Sequence, residues 1–292
     1  MPGPLCIRSG GPKPIIVAAI IAGGLGTGLV LGAMLGDASA EPNQIFRGGF
    51  VSVSLPLESS EAVNHNTKRL RFKLPRDTAT SGLPLTSALL AFPWPKGNLF
   101  PTPRPYTPIS ASDEPGYVEL IVKKYPNGRG SGYLHSLNPG DKLYFATTLP
   151  GYSWKPNSYP HITLIAGGCG ISPIFQLAQG ILRNPQDKTS MTLVFGARSD
   201  EDVLLRKELD QFAKEFPDRF RAVYTVSNPE EGSQLRKGYV DKELLDEVLP
   251  LEKRNTKVFV CGPPAMEASL VGNWSSGVLG QLGFQRKQIH KF

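Results

Sequence analysis

Cysteine is scarce and widely spread: only Cys6, Cys169 and Cys261 occur in 292 residues. The number is odd and no two are close in sequence, which argues against a disulfide framework or a cysteine-built metal site. The chain has no zinc-ligand spacing, no arginine-rich tract and no RNA-binding aromatic signature, so neither a metal nor nucleic acid is expected. It also has no repeat of solenoid period. Charge is unbalanced but not blocked: 32 Lys and Arg against 25 Asp and Glu give a formal net charge of +7, scattered along the chain. Such a surface suits an acidic protein partner or anionic lipid. The length fits about two domains.

The stretch PIIVAAIIAGGLGTGLVLGAMLG at 14–36 carries no charge and is almost wholly apolar. As a helix its 23 residues would rise about 34 Å, enough to cross a hydrocarbon core of roughly 30 Å. It is expected to be a transmembrane anchor, with residues 1–13 as a leader and 37–49 as a polar linker. Within it, AGGLGTG resembles a dinucleotide loop, but Leu29 stands where a third glycine belongs and no βαβ unit follows. Ala38-Ser39-Ala40 fits a signal cleavage site, although the apolar run is long for a signal peptide. Gly24, Gly28, Gly32 and Gly36 recur every four residues. That spacing supports helix-helix self-association, or merely reflects how common glycine is in membrane helices.

The remainder divides in two. From 50 to 150, VSVSL, RLRFKL, TSALLAF, YVELIVKKY and KLYFAT alternate with Pro and Gly clusters, as in an antiparallel sandwich or β-barrel. Residues 151–160 are expected to connect the halves. From 161 to 292, HITLIA, MTLVFGA, FRAVYTV and KVFVCG alternate with the helical stretches 173–184, 201–216 and 241–249. Strands alternating with helices predict a parallel, doubly wound α/β sheet.

Ligands of such sheets bind beyond the carboxyl ends of the strands. IAGGCGISP, 165–173, ends one strand there. Gly167, Gly168 and Gly170 allow backbone N–H groups to approach an anion, Ser172 is placed to cap the next helix, and Pro173 suits its first position. A plain structural turn explains the same glycines equally well. Cys261-Gly262-Pro263-Pro264 ends another strand, where Cys261 points into the same crevice or is simply a small buried hydrophobe. In GARSDED, Arg198 is placed at the ribose end of a dinucleotide, while Ser199 and Asp202 fit a solvated capping box. In RPYTPIS, 104–110, alternation puts Arg104, Tyr106 and Ser110 on one side of an extended strand. KKYPNGRGSGYL, 123–134, offers a glycine-rich turn with Arg129 beside Ser131, suited to a second phosphate.

These segments, in this order, resemble the NADH–cytochrome b5 reductase family within the ferredoxin reductase-like flavoproteins, and its fungal mitochondrial type in particular. The resemblance runs from about Phe50 to Phe292 and includes SALL, YPNG, GYxWKPN and a terminal KF. It implies that RPYTPIS grips FAD, including Pro105 and Ser110, with Arg104 at the pyrophosphate, Tyr106 at the ribityl region and Thr107 at the reactive edge of the ring. It places Lys123 and Tyr125 on the flavin side, Gly128, Arg129 and Ser131 at the FAD pyrophosphate, and Cys169 and Ser172 against the flavin. Gly168, Gly170, Pro173, Arg198, Ser227, Cys261, Gly262 and Pro263 fall to NAD(P)H. Thr107 and Cys261 are the expected catalytic positions, acting by positioning rather than as a base.

The implied activity is a membrane-anchored FAD-dependent reductase that carries electrons from NADH to cytochrome b5 or a similar haem protein. The alternatives are a quinone acceptor or a degenerate binding relative. The implied location is the mitochondrial outer membrane, with a cleaved intermembrane-space form or the endoplasmic reticulum as alternatives. The chain departs from the family at Cys169 and Ser172, where threonine is usual, at Gly130 for methionine, and at ATT, 146–148. Ser227 stands where aspartate is frequent, so weak discrimination against NADPH is expected, with help from Arg198 and Arg236.

Overall fold

The computed structural model describes residues 44–46, 51–249, 255–272 and 276–292. The expected anchor at 14–36 and its glycine face lie outside them. Among the described residues no helix is long and apolar enough to cross a membrane. Residues 44–46 are not a free linker. Phe46 is buried in the first core, and Gln44 bridges Thr80.

The first half is an antiparallel sheet of β1 (Ser52–Asn64), β2 (Thr67–Lys73), β3 (Ala88–Ala91), β4 (Arg104–Tyr106), β5 (Tyr117–Lys123) and β6 (Lys142–Leu149). Its order is β4-β3-β6-β1-β2-β5, so β4 and β5 are the two edges. The sheet curls until these edges nearly meet: just past β4, Ile109 N–H donates to Glu119 O on β5 at 2.9 Å. Alternation fills the inside, where Leu55, Leu57, Leu70, Phe72, Leu120 and Phe145 are buried together. A short helix, α1 (Arg129–Ser136), lies between β5 and β6.

The second half is a six-stranded sheet, all parallel: β7 (His161–Gly167), β8 (Ser190–Ala197), β9 (Phe220–Val226), β10 (Arg236–Lys237), β11 (Thr256–Cys261) and β12 (Ile289–Lys291). The helices are α2 (Ile171–Arg183), α3 (Arg206–Glu215), α4 (Lys242–Val248), α5 (Pro264–Val271) and α6 (Val278–Gln281). The expected helix over 201–216 is broken. A 3-10 turn covers Asp200–Asp202, and Leu205 adopts φ 59 before α3 begins. A non-glycine residue in that left-handed region cannot continue a helix.

Strand order β10-β9-β8-β7-β11-β12 puts the topological switch between β7 and β11. Ile162, Leu164 and Ala166 face one apolar core, and Ile165 faces the other. Ile109 and Ile121 of the first half join the core that holds Leu164 and Ile174. The two halves therefore share a packed seam.

Candidate active site

A cleft of about 960 Å³ opens along that seam, beyond the carboxyl ends of β7 and β11. Its parallel-sheet wall comes from the two neighbouring loops that leave the switch point. Cys261 pairs in register with Ala166, so the loops start side by side. Gly168 has φ +52 and open space where a side chain would be, a conformation that favours glycine. Gly170 is needed for a different reason: a Cβ there would collide with the carbonyl of Cys261. Cys169, Ser172 and Pro173 line the same wall. Helix α2 begins at Ile171 with Gly170 as its cap and no side-chain cap bond. Ser172 and Pro173 are thus the second and third helical residues, two places later than the sequence pattern implied. The helix start still faces the cleft, and the positive end of its dipole favours an anion.

The barrel wall carries Arg104, Pro105, Tyr106 and Thr107 at the end of the short edge strand β4. Among the described residues Arg104 Nη1 donates only to the neighbouring Pro103 carbonyl, at 2.7 Å, so most of the guanidinium remains available. Burial pushes the Tyr106 phenol up to about 12, which keeps it protonated as a donor. Ser110 does not join them. It is buried, outside the cleft lining, and its Oγ accepts from Glu119 N at 3.0 Å as the barrel edges close. The strand stops at Tyr106, two residues before Pro108, and its alternation stops there.

The expected glycine-rich turn is a helix start. Gly128 caps α1, Arg129 opens it, and Gly130 lies within its first turn. Ser131 Oγ donates to Gly128 O at 3.2 Å and accepts from Tyr125 N at 3.2 Å, so its hydroxyl holds the turn in shape. Gly130 would place a Cβ 3.4 Å from the Arg104 stem. The start of α1 and Arg104 are therefore neighbours at one end of the cleft.

Sequence reasoning missed contributors in three places. Glu267 accepts from Gly262 N at 3.3 Å and pairs with Lys291 at 3.2 Å, tying the Cys261 loop to the chain end. His290 and Phe292 line the cleft, with Phe292 stacked on Phe259. The third is Asp202. It is buried rather than solvated, and it accepts from Ser199 Oγ at 3.2 Å and Lys123 Nζ at 2.9 Å. No capping box forms, because Ser199 makes no side-chain cap bond. The capping pattern masked the real signal, a carboxylate beside a lysine brought from another strand.

Thiols in the cleft are neutral. Burial pushes Cys261 up to about 12, assisted by the nearby Glu267 carboxylate, and burial also raises Cys169. Tyr125 reaches about 12 through burial and contact with Cys169. Lys123 and Tyr125 also line a second groove of about 790 Å³, which continues to Arg198, Ser199 and Asn228 at the ends of β8 and β9. Arg198 is thus outside the main cleft. Ser227 lines neither cleft nor groove, and its Oγ donates to the Arg198 carbonyl at 3.4 Å. Arg236 faces Asp241 and Glu243, each at 3.8 Å.

Two anion-binding helix starts facing one cleft suit two pyrophosphates. Comparison with known proteins agrees. Residues 54–151 match the oxidoreductase FAD-binding domain, and residues 164–271 the oxidoreductase NAD-binding domain. An NADH-cytochrome b5 reductase 2 of Emericella nidulans is 47% identical, covering 96% of this chain and 90% of its own length. The chain belongs to the NADH-cytochrome b5 reductase family. A second member, from Pyricularia oryzae, is 46% identical over 95% of this chain and 88% of its own. The solved cytochrome b5 reductase domain of Ulva prolifera nitrate reductase superposes with a TM-score of 0.74 at 27% identity, over 86% of this chain and all of that one. A ferredoxin NADP+ reductase from Neisseria gonorrhoeae shares the fold at a TM-score of 0.64 and 18% identity, over 82% of this chain and 98% of its own. As a member of this reductase family the chain is an FAD- and NAD-binding oxidoreductase. Its cleft fits FAD: the free guanidinium of Arg104, the start of α1 and the space left by Gly130 together form a cradle for a diphosphate.

Proposed function

We propose that this protein passes electrons from NADH through FAD to cytochrome b5. The single observation that carries the reading is the continuous cleft that joins Arg104–Thr107 of the barrel to Gly168–Gly170 and Cys261–Pro263 of the parallel sheet. When bound, FAD supplies the chemistry that takes a hydride from the nicotinamide and releases electrons one at a time.

The chain's own residues bind and orient. Arg104 and the N-terminus of α1 hold the FAD diphosphate, and the protonated Tyr106 phenol donates a hydrogen bond from β4. Thr107, just past the strand, sets the position of the flavin's reacting edge. The start of α2, with Gly168 and Gly170, holds the dinucleotide diphosphate. Lys123 adds a cation where cleft and groove meet, and the groove takes the adenosine end near Arg198 and Asn228. Cys261, neutral and half-buried, shapes the nicotinamide site without accepting a proton. Phe292 and His290 help shut water out of the far wall. Holding both rings in contact is the main contribution asked of the protein.

The uncharged run 14–36 supports a membrane anchor at the N-terminus, and the resemblance of the sequence motifs to the fungal mitochondrial type favours the mitochondrial outer membrane as its site. The excess of basic residues suits the acidic surface expected of a haem-protein partner, with an encounter weakened by salt. Steady-state reduction of purified cytochrome b5 by the full chain, FAD and NADH tests the activity. Turnover that falls with rising salt is the expected result. Transfer to quinones but not to cytochrome b5 would assign a different acceptor.

A further inference from the structure

Lys123 and Asp202 are 79 residues apart and belong to different halves of the molecule. Lys123 ends β5 of the barrel, and Asp202 lies in the 3-10 turn after β8 of the parallel sheet. Their 2.9 Å ion pair crosses the seam at the point where the cleft and the adenosine groove share Lys123. The Asp202 side chain is only 5% exposed, and the Lys123 side chain 22%. Asn64 Nδ2, at the end of β1, reaches the same Oδ1 at 3.5 Å, while Ser199 Oγ occupies Oδ2.

We infer that Asp202 is a positioning residue for the dinucleotide: it holds the Lys123 ammonium at the junction of cleft and groove, where a diphosphate must pass. The inference rests on the NADH reading above. A lysine on its own has a four-carbon stem and loses considerable rotamer freedom when it orders around an anion. Asp202 removes that freedom beforehand. It takes one of three ammonium hydrogens, which leaves two for phosphate oxygens. The contact also fixes the angle between the halves at the place where one dinucleotide spans both. The Asn64 Nδ2 bond to the Glu201 carbonyl at 3.0 Å and the His65–Glu201 contact at 2.7 Å brace the same seam from the β1–β2 turn.

The test uses ADP-ribose, which carries the diphosphate and adenosine but no nicotinamide, titrated calorimetrically into the full-length, FAD-loaded protein. Wild-type binding comes first. Asp202→Asn is expected to weaken ADP-ribose about tenfold, and Lys123→Met by a similar factor, while the flavin absorption spectrum keeps its wild-type shape. The double variant is expected to bind within about twofold of the weaker single variant, as groups acting as one unit do. Both single variants should lose part of the salt dependence of binding, and Asp202→Glu should recover most of the affinity. In turnover the loss should fall on KM for NADH more than on kcat. Equal ADP-ribose binding by wild type and Asp202→Asn overturns the role of Asp202, as do single losses that multiply in full. A wild-type protein that holds flavin yet ignores ADP-ribose overturns the dinucleotide reading itself. Should Asp202→Asn not retain flavin, the Asp202→Glu and Lys123→Met pair decides: affinity lost by the second and kept by the first supports the inference, and affinity kept by Lys123→Met contradicts it.

Discussion

The Trp154 indole donates its Nε1 hydrogen to Asp187 at 2.8 Å, fastening the connection between the halves to the loop before β8. Asp187 has no exposed surface, and its Oδ1 also accepts from Asn157 N at 3.2 Å and Thr189 N at 3.0 Å. Burial opposes its charge, but the Thr189, Trp154 and Asn157 donors outweigh that and hold the carboxyl below its usual range.

Asp187→Ala strands these buried donors and is expected to cost about 3 kcal/mol. That corresponds to a fall in Tm of roughly 10 °C for a chain of this size, read by circular dichroism. The folded pKa lies below the unfolded one, so the stabilisation is present above about pH 4 and is lost as pH falls through the folded value. The difference in Tm between wild type and variant should therefore shrink in acid. A variant that melts within 2 °C of wild type near pH 7, on the same scale of roughly 3 °C per kcal/mol, would contradict this role.

Gly170→Ala tests the close approach of the two cleft loops. The backbone at Gly170 is ordinary right-handed helix, so torsion does not forbid alanine. The obstacle is the Cys261 carbonyl. Separation of the loops should weaken NADH at least tenfold, about 1.4 kcal/mol, while FAD held by the barrel stays. Unchanged NADH affinity would mean that the loops move apart without consequence.

Ser227 leaves the end of β9 without a carboxylate, and no ion pair or hydrogen bond holds the exposed Arg198 guanidinium among the described residues. Arg236 is turned toward Asp241 and Glu243, whereas the Arg198 guanidinium is available to a 2′-phosphate. NADPH should reach within about a hundredfold of NADH in kcat/KM, a gap of about 2.7 kcal/mol. Ser227→Asp should widen that gap at least tenfold. Parallel steady-state kinetics with both dinucleotides decide it, and an unaltered ratio in the variant would remove Ser227 from the specificity determinants.

Cys261 stays a thiol across the working range, since burial lifts it to about 12. The pH dependence of kcat should then be the same in wild type and Cys261→Ala between pH 6 and 9, about three units below that value and beyond. The variant should be slower by roughly tenfold, because the nicotinamide loses its lateral contact. Alkylation by iodoacetamide at neutral pH should be slow for the same reason. Loss of a pH-dependent limb in the variant would instead make Cys261 a titrating group.

The fold was legible wherever apolar periodicity was strong. HITLIA and KVFVCG hold continuous buried runs at 162–166 and 258–260, and each forms a central parallel strand. Failures came where long-range contacts override local pattern. Leu205 lies in an unbroken helical pattern, yet it is buried in a left-handed kink that turns the chain into α3. Arg129-Gly-Ser-Gly has glycines that predict a turn, but tertiary packing makes it helical. Ser110 follows the alternation of RPYTPIS on paper, whereas barrel closure claims its hydroxyl. The glycine loops of the site were legible because close backbone approach leaves a composition signature. Asp202 and Glu267 were not, because their partners Lys123 and Lys291 come from distant segments.

The most direct test of the account is an anaerobic visible spectrum of the purified full chain, reconstituted with FAD, before and after NADH and then cytochrome b5. The account predicts a flavin spectrum that bleaches with one equivalent of NADH and returns as cytochrome b5 is reduced. A folded protein that binds no FAD, or a bleached flavin that cytochrome b5 leaves unchanged, would contradict it.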